Sequence, residues 1–151
     1  MTDVGANAKM NEFCCIMGLC NLKHIGESIE DRHNKIDYYH SKIDNVPGIK
    51  YLQISDEQTC NYAYFTILVE DEYPLSRNGL YDTLKAKDIY SRKYFYPLTS
   101  DQACFKNKYK KLNLEVARDL SSKVLALPIF EGIEYSDIDR ITAIIKAGEK
   151  A

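Results

Sequence analysis

The residues with the clearest chemical potential stand at the front of the chain. Gly5-Ala6-Asn7-Ala8-Lys9-Met10-Asn11-Glu12 runs straight into an apolar helical pattern. An asparagine amide and a lysine at a helix start, beside backbone N–H groups with no intrahelical partner, can hold a phosphate. The same residues also read as a plain helix entry, with Asn7 or Asn11 capping and Lys9 solvated. A second grouping lies at residues 89–98, where Tyr90, Tyr94, Phe95 and Tyr96 surround Arg92 and Lys93. Aromatic runs usually pack into cores, but rings interleaved with cations also suit an anion or a sugar.

Histidine and cysteine invite metal readings that their spacing does not support. His33 and His40 are seven residues apart, two helical turns on one face, or about 10 Å. One metal with Zn–N bonds of about 2 Å cannot take both directly, so they read as helix-face residues packed beside isoleucines. His24 has no partner nearby. The cysteines, Cys14, Cys15, Cys20, Cys60 and Cys104, are odd in number and form no Cys-x-x-Cys pair. They read as free, buried thiols, with zinc as the weaker alternative. No Ser-His-Asp order, Walker loop, glycine-rich dinucleotide turn or His-Glu-x-x-His element is found.

These groups must be positioned by seven elements. Residues 8–25 read as a helix whose apolar band, Met10, Phe13, Cys14, Met17 and Cys20 widened by Ile16, Leu19 and Leu22, is broad enough for a buried helix. Gly26 marks a kink or break. Residues 27–44 form a second helix with Ile29, His33, Ile36, His40 and Ile43 on one face, stopped by Val46-Pro47-Gly48. Residues 61–69 read as a central strand covered on both sides. A helix follows near 77–87 with Leu80, Tyr81 and Leu84 inward, its start weakened by Gly79. Residues 89–98 are extended until Pro97. Residues 114–125 are helical, and a last helix begins at Ser136, which can cap it with Asp139. The fold class is α+β: a small mixed or antiparallel sheet covered by helices.

Composition bounds the function. Twenty basic and 22 acidic residues in a chain of 151 argue against a generally basic nucleic-acid binder. The apolar runs are too short for a membrane helix, and the N-terminus does not read as a signal peptide. The expectation is one cytoplasmic domain of common size, with no nucleic acid and no membrane as partner.

Three stretches together carry a family resemblance. Gly5-Ala6-Asn7-Ala8-Lys9-Met10-Asn11-Glu12-Phe13, continued by Met17-Gly18-Leu19, resembles the Gly-x-Asn-x-(Arg/Lys)-Met-x-Glu signature of DegT/DnrJ/StrS-type sugar aminotransferases. Tyr94-Phe95-Tyr96-Pro97-Leu98 resembles the family's Tyr-x-Pro-Leu segment, with Tyr94 where many members have histidine. Val124-Leu125-Ala126-Leu127-Pro128-Ile129 resembles its Val-Leu-x-Leu-Pro element.

The resemblance implies pyridoxal 5'-phosphate chemistry on nucleotide-linked keto sugars, with glutamate as the usual amino donor. It implies the C-terminal small domain of aspartate-aminotransferase-type enzymes behind a leading long helix pair. Residues 1–26 would then be a cofactor-proximal helix region, and residues 27–151 the small domain. Asn7 would reach across a dimer to the cofactor phosphate, with Lys9 at the nearby basic position. Arg92, Tyr94 and Tyr96 would contact substrate. The family's Schiff-base lysine precedes the stretch that here begins at residue 5. The chain is therefore expected to be the C-terminal part of such an enzyme, with no covalently bound cofactor and no transamination alone. Its expected partner is a second copy or a cofactor domain carrying the lysine, and the wide apolar face at 10–25 is expected to pack against that partner and to be exposed in the chain alone. A non-catalytic dimerisation or sugar-nucleotide-binding module of the same fold is the alternative.

Overall fold

A computed structural model describes residues 9–55, 58–102, 105, 108–109 and 112–148. Helix α1 (Glu12–Leu22) starts where Asn11 accepts a hydrogen bond from the Cys14 N–H at 2.9 Å through its side-chain oxygen, the cap expected of an asparagine. The break before helix α2 (Ile25–Ile43) falls at Lys23 and His24, so Gly26 lies inside the first turn of α2 rather than at the kink. The buried stripe of α2 is Lys35, Ile36, Tyr39 and Ile43. It is centred on Tyr39, which is fully buried because its hydroxyl finds the Pro128 carbonyl at 2.9 Å.

Three strands form one antiparallel sheet in the order β1 (Ile49–Tyr51), β2 (Phe65–Val69), β3 (Val124–Leu127). Ile49 pairs with Val69 and Phe65 with Leu127. The expected strand over 61–69 is central but shorter. Asn61 accepts from the Ala63 N–H at 3.1 Å, and Tyr62 takes a φ of 51°. That local side-chain turn holds the backbone out of the ladder until Phe65. On β2 Phe65, Ile67 and Val69 are buried, whereas Thr66 and Leu68 are half-buried. One face is thus fully covered by the described residues, not both.

Two strand assignments differ from the sequence expectation. β1 is three residues, too short to show a period, and is set by Gly48 at a φ of 74°. β3 takes over the end of the expected 114–125 helix. Helix α4 (Glu115–Lys123) stops because Val124 turns extended to pair with Leu68, a tertiary pairing overriding local propensity.

Helix α3 (Arg77–Lys85) is capped by Ser76, which accepts from the Gly79 N–H at 3.1 Å, so Gly79 does not spoil the start. Helix α5 (Tyr135–Gly148) begins one residue before Ser136, with the Glu134 carbonyl accepting its first N–H groups. Asp139 accepts instead from Tyr38 and Lys42. Helices α2, α3 and α5 enclose the core around Ile43, Ile67, Leu80, Leu84, Leu125, Ile138 and Ile145. Fully burying each such aliphatic side chain is worth about 1.5–3 kcal/mol.

Helix α1 contributes nothing to that core. None of its residues is buried; Phe13 is 80% exposed and Met17 65%. The apolar band that suits a buried helix stands exposed here, as a face that packs against another domain or subunit would. Cys14, Cys15 and Cys20 are consequently exposed free thiols, Cys60 is half-buried, and Cys104 lies outside the described residues. No helix among the described residues is long and apolar enough to cross a membrane.

Candidate functional site

The segment after α3 is set by two anchors. Ile89 and Ser91 are buried, and Arg92 exchanges two backbone hydrogen bonds with Ala126, at 2.9 and 2.8 Å. This single bridge lines the segment against β3 and then releases it. The chain turns back where the Tyr96 N–H bonds the Lys93 carbonyl at 2.9 Å.

Arg92, Tyr94 and Tyr96 line one groove of about 480 Å³, with Ser91, Lys93 and Gln102. The three residues expected to contact substrate are thus together. Arg92 donates to the Tyr94 hydroxyl, a contact that holds its guanidinium above the usual range and fully charged. With Lys93 the groove carries two cations, and no carboxylate is among its lining residues. Its chemistry suits an anion such as a phosphate or diphosphate.

Tyr94 and Phe95 form the wall shared with a second, larger groove of about 1140 Å³ beside α2 and β2. Here the chemistry changes. Among the described residues no lysine or arginine lines it; Asp37 is its one described carboxylate, and its rings include His33, His40, Tyr51 and Tyr62. His33 stacks on Tyr62 at 4.3 Å and His40 on Tyr51 at 4.0 Å between centroids. The two histidines therefore serve as stacking rings on tyrosines, not as residues packed beside isoleucines. Burial lowers the His40 pKa, with Asp37 and Asp44 opposing. An uncharged ring or sugar fits this side, and an anion fits the other.

Of the two expected phosphate-holding residues, Asn7 lies outside the described residues. Lys9 is exposed just before α1 and lines neither groove. Sequence reasoning named Lys93 and Tyr81 but not their contact, and it passed over Arg77, which stands behind the groove's Tyr96. The Arg77 guanidinium lies over the Tyr96 ring at 4.8 Å, and the Lys93 ammonium over the Tyr81 ring at 4.1 Å. The signal was present in the four-residue spacing of Arg77 and Tyr81 on one helix face, which hydrophobic periodicity ignores.

A sequence profile of the DegT/DnrJ/EryC1/StrS aminotransferase family matches residues 1–146. The chain belongs to that family. It is 34% identical over 143 residues to the dTDP-4-amino-4,6-dideoxy-D-glucose transaminase of Shigella dysenteriae, covering 95% of this chain and 39% of that protein. The chain therefore spans about two-fifths of the length of this curated relative, and it corresponds to the C-terminal part of such an aminotransferase.

Among solved structures, DesI in the presence of its TDP-sugar product superposes with a TM-score of 0.88 at 24% identity, covering 96% of this chain and 37% of that one. A PLP-dependent aminotransferase from Bacillus cereus gives 0.82 at 21% identity, covering 95% and 39%. These two likenesses concern the fold.

Aminotransferases of this family use pyridoxal phosphate, which needs a lysine amine facing an enclosed site. The described residues do not fit that covalent anchor. Lys35 is the one buried lysine among them, and its ammonium is tied to Asp31 at 2.8 Å on the same helix. Lys93 is spread over the Tyr81 ring.

Proposed function

We propose that the chain is the substrate-side lobe of a pyridoxal-phosphate-dependent aminotransferase acting on nucleotide-linked keto sugars, with glutamate as amino donor. Residues 27–151 form the lobe, and residues 1–26, with Asn7 and Lys9, lie toward the cofactor phosphate. The cofactor lysine comes from polypeptide outside these 151 residues, joined to them or separate. One observation carries this reading. Arg92, Tyr94 and Tyr96 surround a cationic groove that shares a wall with a ring-lined groove holding no lysine or arginine among its described lining residues. A nucleotide sugar has both kinds of surface: a diphosphate that needs cations, and a sugar and base that need rings and hydroxyls. In this reading Arg92 and Lys93 hold the diphosphate beside Tyr96, and Tyr94, on the shared wall, borders the sugar. A cytoplasmic location follows from the soluble substrate class.

The exposed apolar face of α1 favours a lobe over a free-standing module, because such a face needs a cover. That cover is the cofactor-bearing part or a second subunit.

The test is turnover. The chain with pyridoxal phosphate, glutamate and a dTDP-linked 4-keto-6-deoxy sugar should yield no amino sugar. The same chain replacing the matching two-fifths of the Shigella dysenteriae relative should give turnover, with Arg92→Ala raising the KM. Steady amino-sugar formation by the chain alone overturns the proposal.

A further inference from the structure

Two of the closest contacts around the cationic groove are crossed. Helix α3 supplies a cation, Arg77, and a ring, Tyr81, one turn apart on the same face. The segment 92–97 supplies a cation, Lys93, and a ring, Tyr96, three residues apart. The helix cation covers the segment's ring at 4.8 Å, and the segment's cation covers the helix ring at 4.1 Å. We infer that Arg77 and Tyr81 are positioning residues: through this reciprocal clasp α3 sets where Arg92 and Tyr94 stand in the groove.

The geometry gives the clasp leverage. Arg77 is itself held fast, 4% exposed, with its Nη1 donating to the Val124 carbonyl at 3.2 Å. Its buried Nε has no hydrogen-bond partner. A buried cation lacking full hydrogen bonding is costly, and the face of Tyr96 offsets part of that cost. Arg77 thereby joins three pieces: the start of α3, the first residue of β3 and the ring of Tyr96. At its other end the segment is pinned by the Arg92–Ala126 bridge. Tyr94 stands between these two pins and accepts from Arg92. Sliding the segment by one residue along α3 would break both cation–ring contacts at once, so the pair fixes register as well as distance.

The inference rests on reading 92–97 as the ligand-contacting segment, and the experiment separates the two. Tyr81 is half-buried and packs at the edge of the core, so Tyr81→Phe, which keeps the ring, serves as the packing control and the Ile67 amide reports on the core. In the 151-residue chain, NMR should find the Lys93 ε-CH₂ protons shifted upfield by the Tyr81 ring. Tyr81→Leu should abolish that shift and also move the Arg92 and Tyr94 amides, while the Ile67 amide in β2 stays in place. Tyr81→Phe, which keeps a ring, should restore all three. Affinity for inorganic pyrophosphate should fall about two- to fivefold in Tyr81→Leu and recover in Tyr81→Phe. An unshifted Lys93 in the wild type, or Arg92 and Tyr94 amides unmoved by Tyr81→Leu, overturns the clasp. So does equal pyrophosphate affinity in the wild type and Tyr81→Leu. Failure of the wild type to bind pyrophosphate counts against the ligand reading alone, because the amide shifts still decide the clasp.

Discussion

The imidazole of His40 lies flat on the ring of Tyr51, with 4.0 Å between centroids and 12° between planes. The edge of His40 meets Phe65 at 5.3 Å. The Tyr51 hydroxyl donates to Asp44 at 2.7 Å. One stack thus ties the end of α2 to the short strand β1 and builds a wall of the ring-lined groove.

Burial in that stack lowers the pKa of His40 against the pull of Asp37 and Asp44. The sign follows from linkage. As pH falls below about 6.5, the unfolded chain takes the proton before the folded one does. Stability conferred by neutral His40 is therefore full above that pH and is lost as pH drops toward the folded pKa. Melting temperatures between pH 7 and 5 should fall more for the wild type than for His40→Gln. An imidazole titration by NMR at or above the usual value would contradict this.

Tyr51 should titrate far into alkali. Burial, then the bond to Asp44, raises its phenol from 10.0 to about 12. The folded state favours the protonated form, so this contribution is complete below about pH 10 and is lost as pH rises toward 12. Ultraviolet titration of Tyr51→Phe should show one late-titrating phenol missing. Asp44→Asn should move that phenol back toward 10. A Tyr51 titrating with the exposed tyrosines sinks the prediction.

Tyr73 is gripped between two glycines. A Cβ on Gly48, whose φ is 74°, would lie 2.2 Å from the Tyr73 backbone nitrogen. A Cβ on Gly148 would lie 2.1 Å from the Tyr73 hydroxyl, which donates to the Ile145 carbonyl at 2.6 Å. Gly48→Ala should cost about 2–4 kcal/mol, because backbone and φ are both wrong for a side chain. Tyr73→Phe should cost about 1–2 kcal/mol for the orphaned carbonyl. Urea unfolding midpoints measure both; an unchanged midpoint in Gly48→Ala would remove the grip.

The sequence announced what periodicity can carry and hid what contact decides. The apolar stripes that became α2, α3 and α5 were legible, as was the central strand, because each repeats its pattern over several residues. β3 was not, since Val124-Leu125-Ala126-Leu127 alternates nothing and becomes a strand only by pairing with β2. The exposure of α1 was legible, because so wide an apolar face ahead of the small domain needs a cover from another domain or subunit. At the site, the rings around Arg92 and Lys93 were legible from the residues, and the resemblance assigned Arg92, Tyr94 and Tyr96 to the substrate. The four-residue spacing of Arg77 and Tyr81 put both on one helix face, but which ring each cation covers needed coordinates.

The open face of α1 should make the chain associate on its own. Six of its large apolar residues and their flanks, including Phe13, Ile16 and Leu19, are more than half exposed, and patches of this kind rarely stay in water. Sedimentation of the wild type should show concentration-dependent association and binding of an apolar dye. Ile16→Glu with Leu19→Glu should weaken both without altering the melting temperature, since neither residue touches the core. A wild type that sediments as a compact, dye-negative monomer would contradict this.

The most direct test of the substrate-side assignment is an NMR titration of the 151-residue chain with dTDP. The account predicts saturable shifts concentrated on Arg92, Lys93, Tyr94 and Tyr96, weakened by salt and lost in Arg92→Ala. Shifts that are absent, or that spare this groove while collecting elsewhere on the chain, would contradict it.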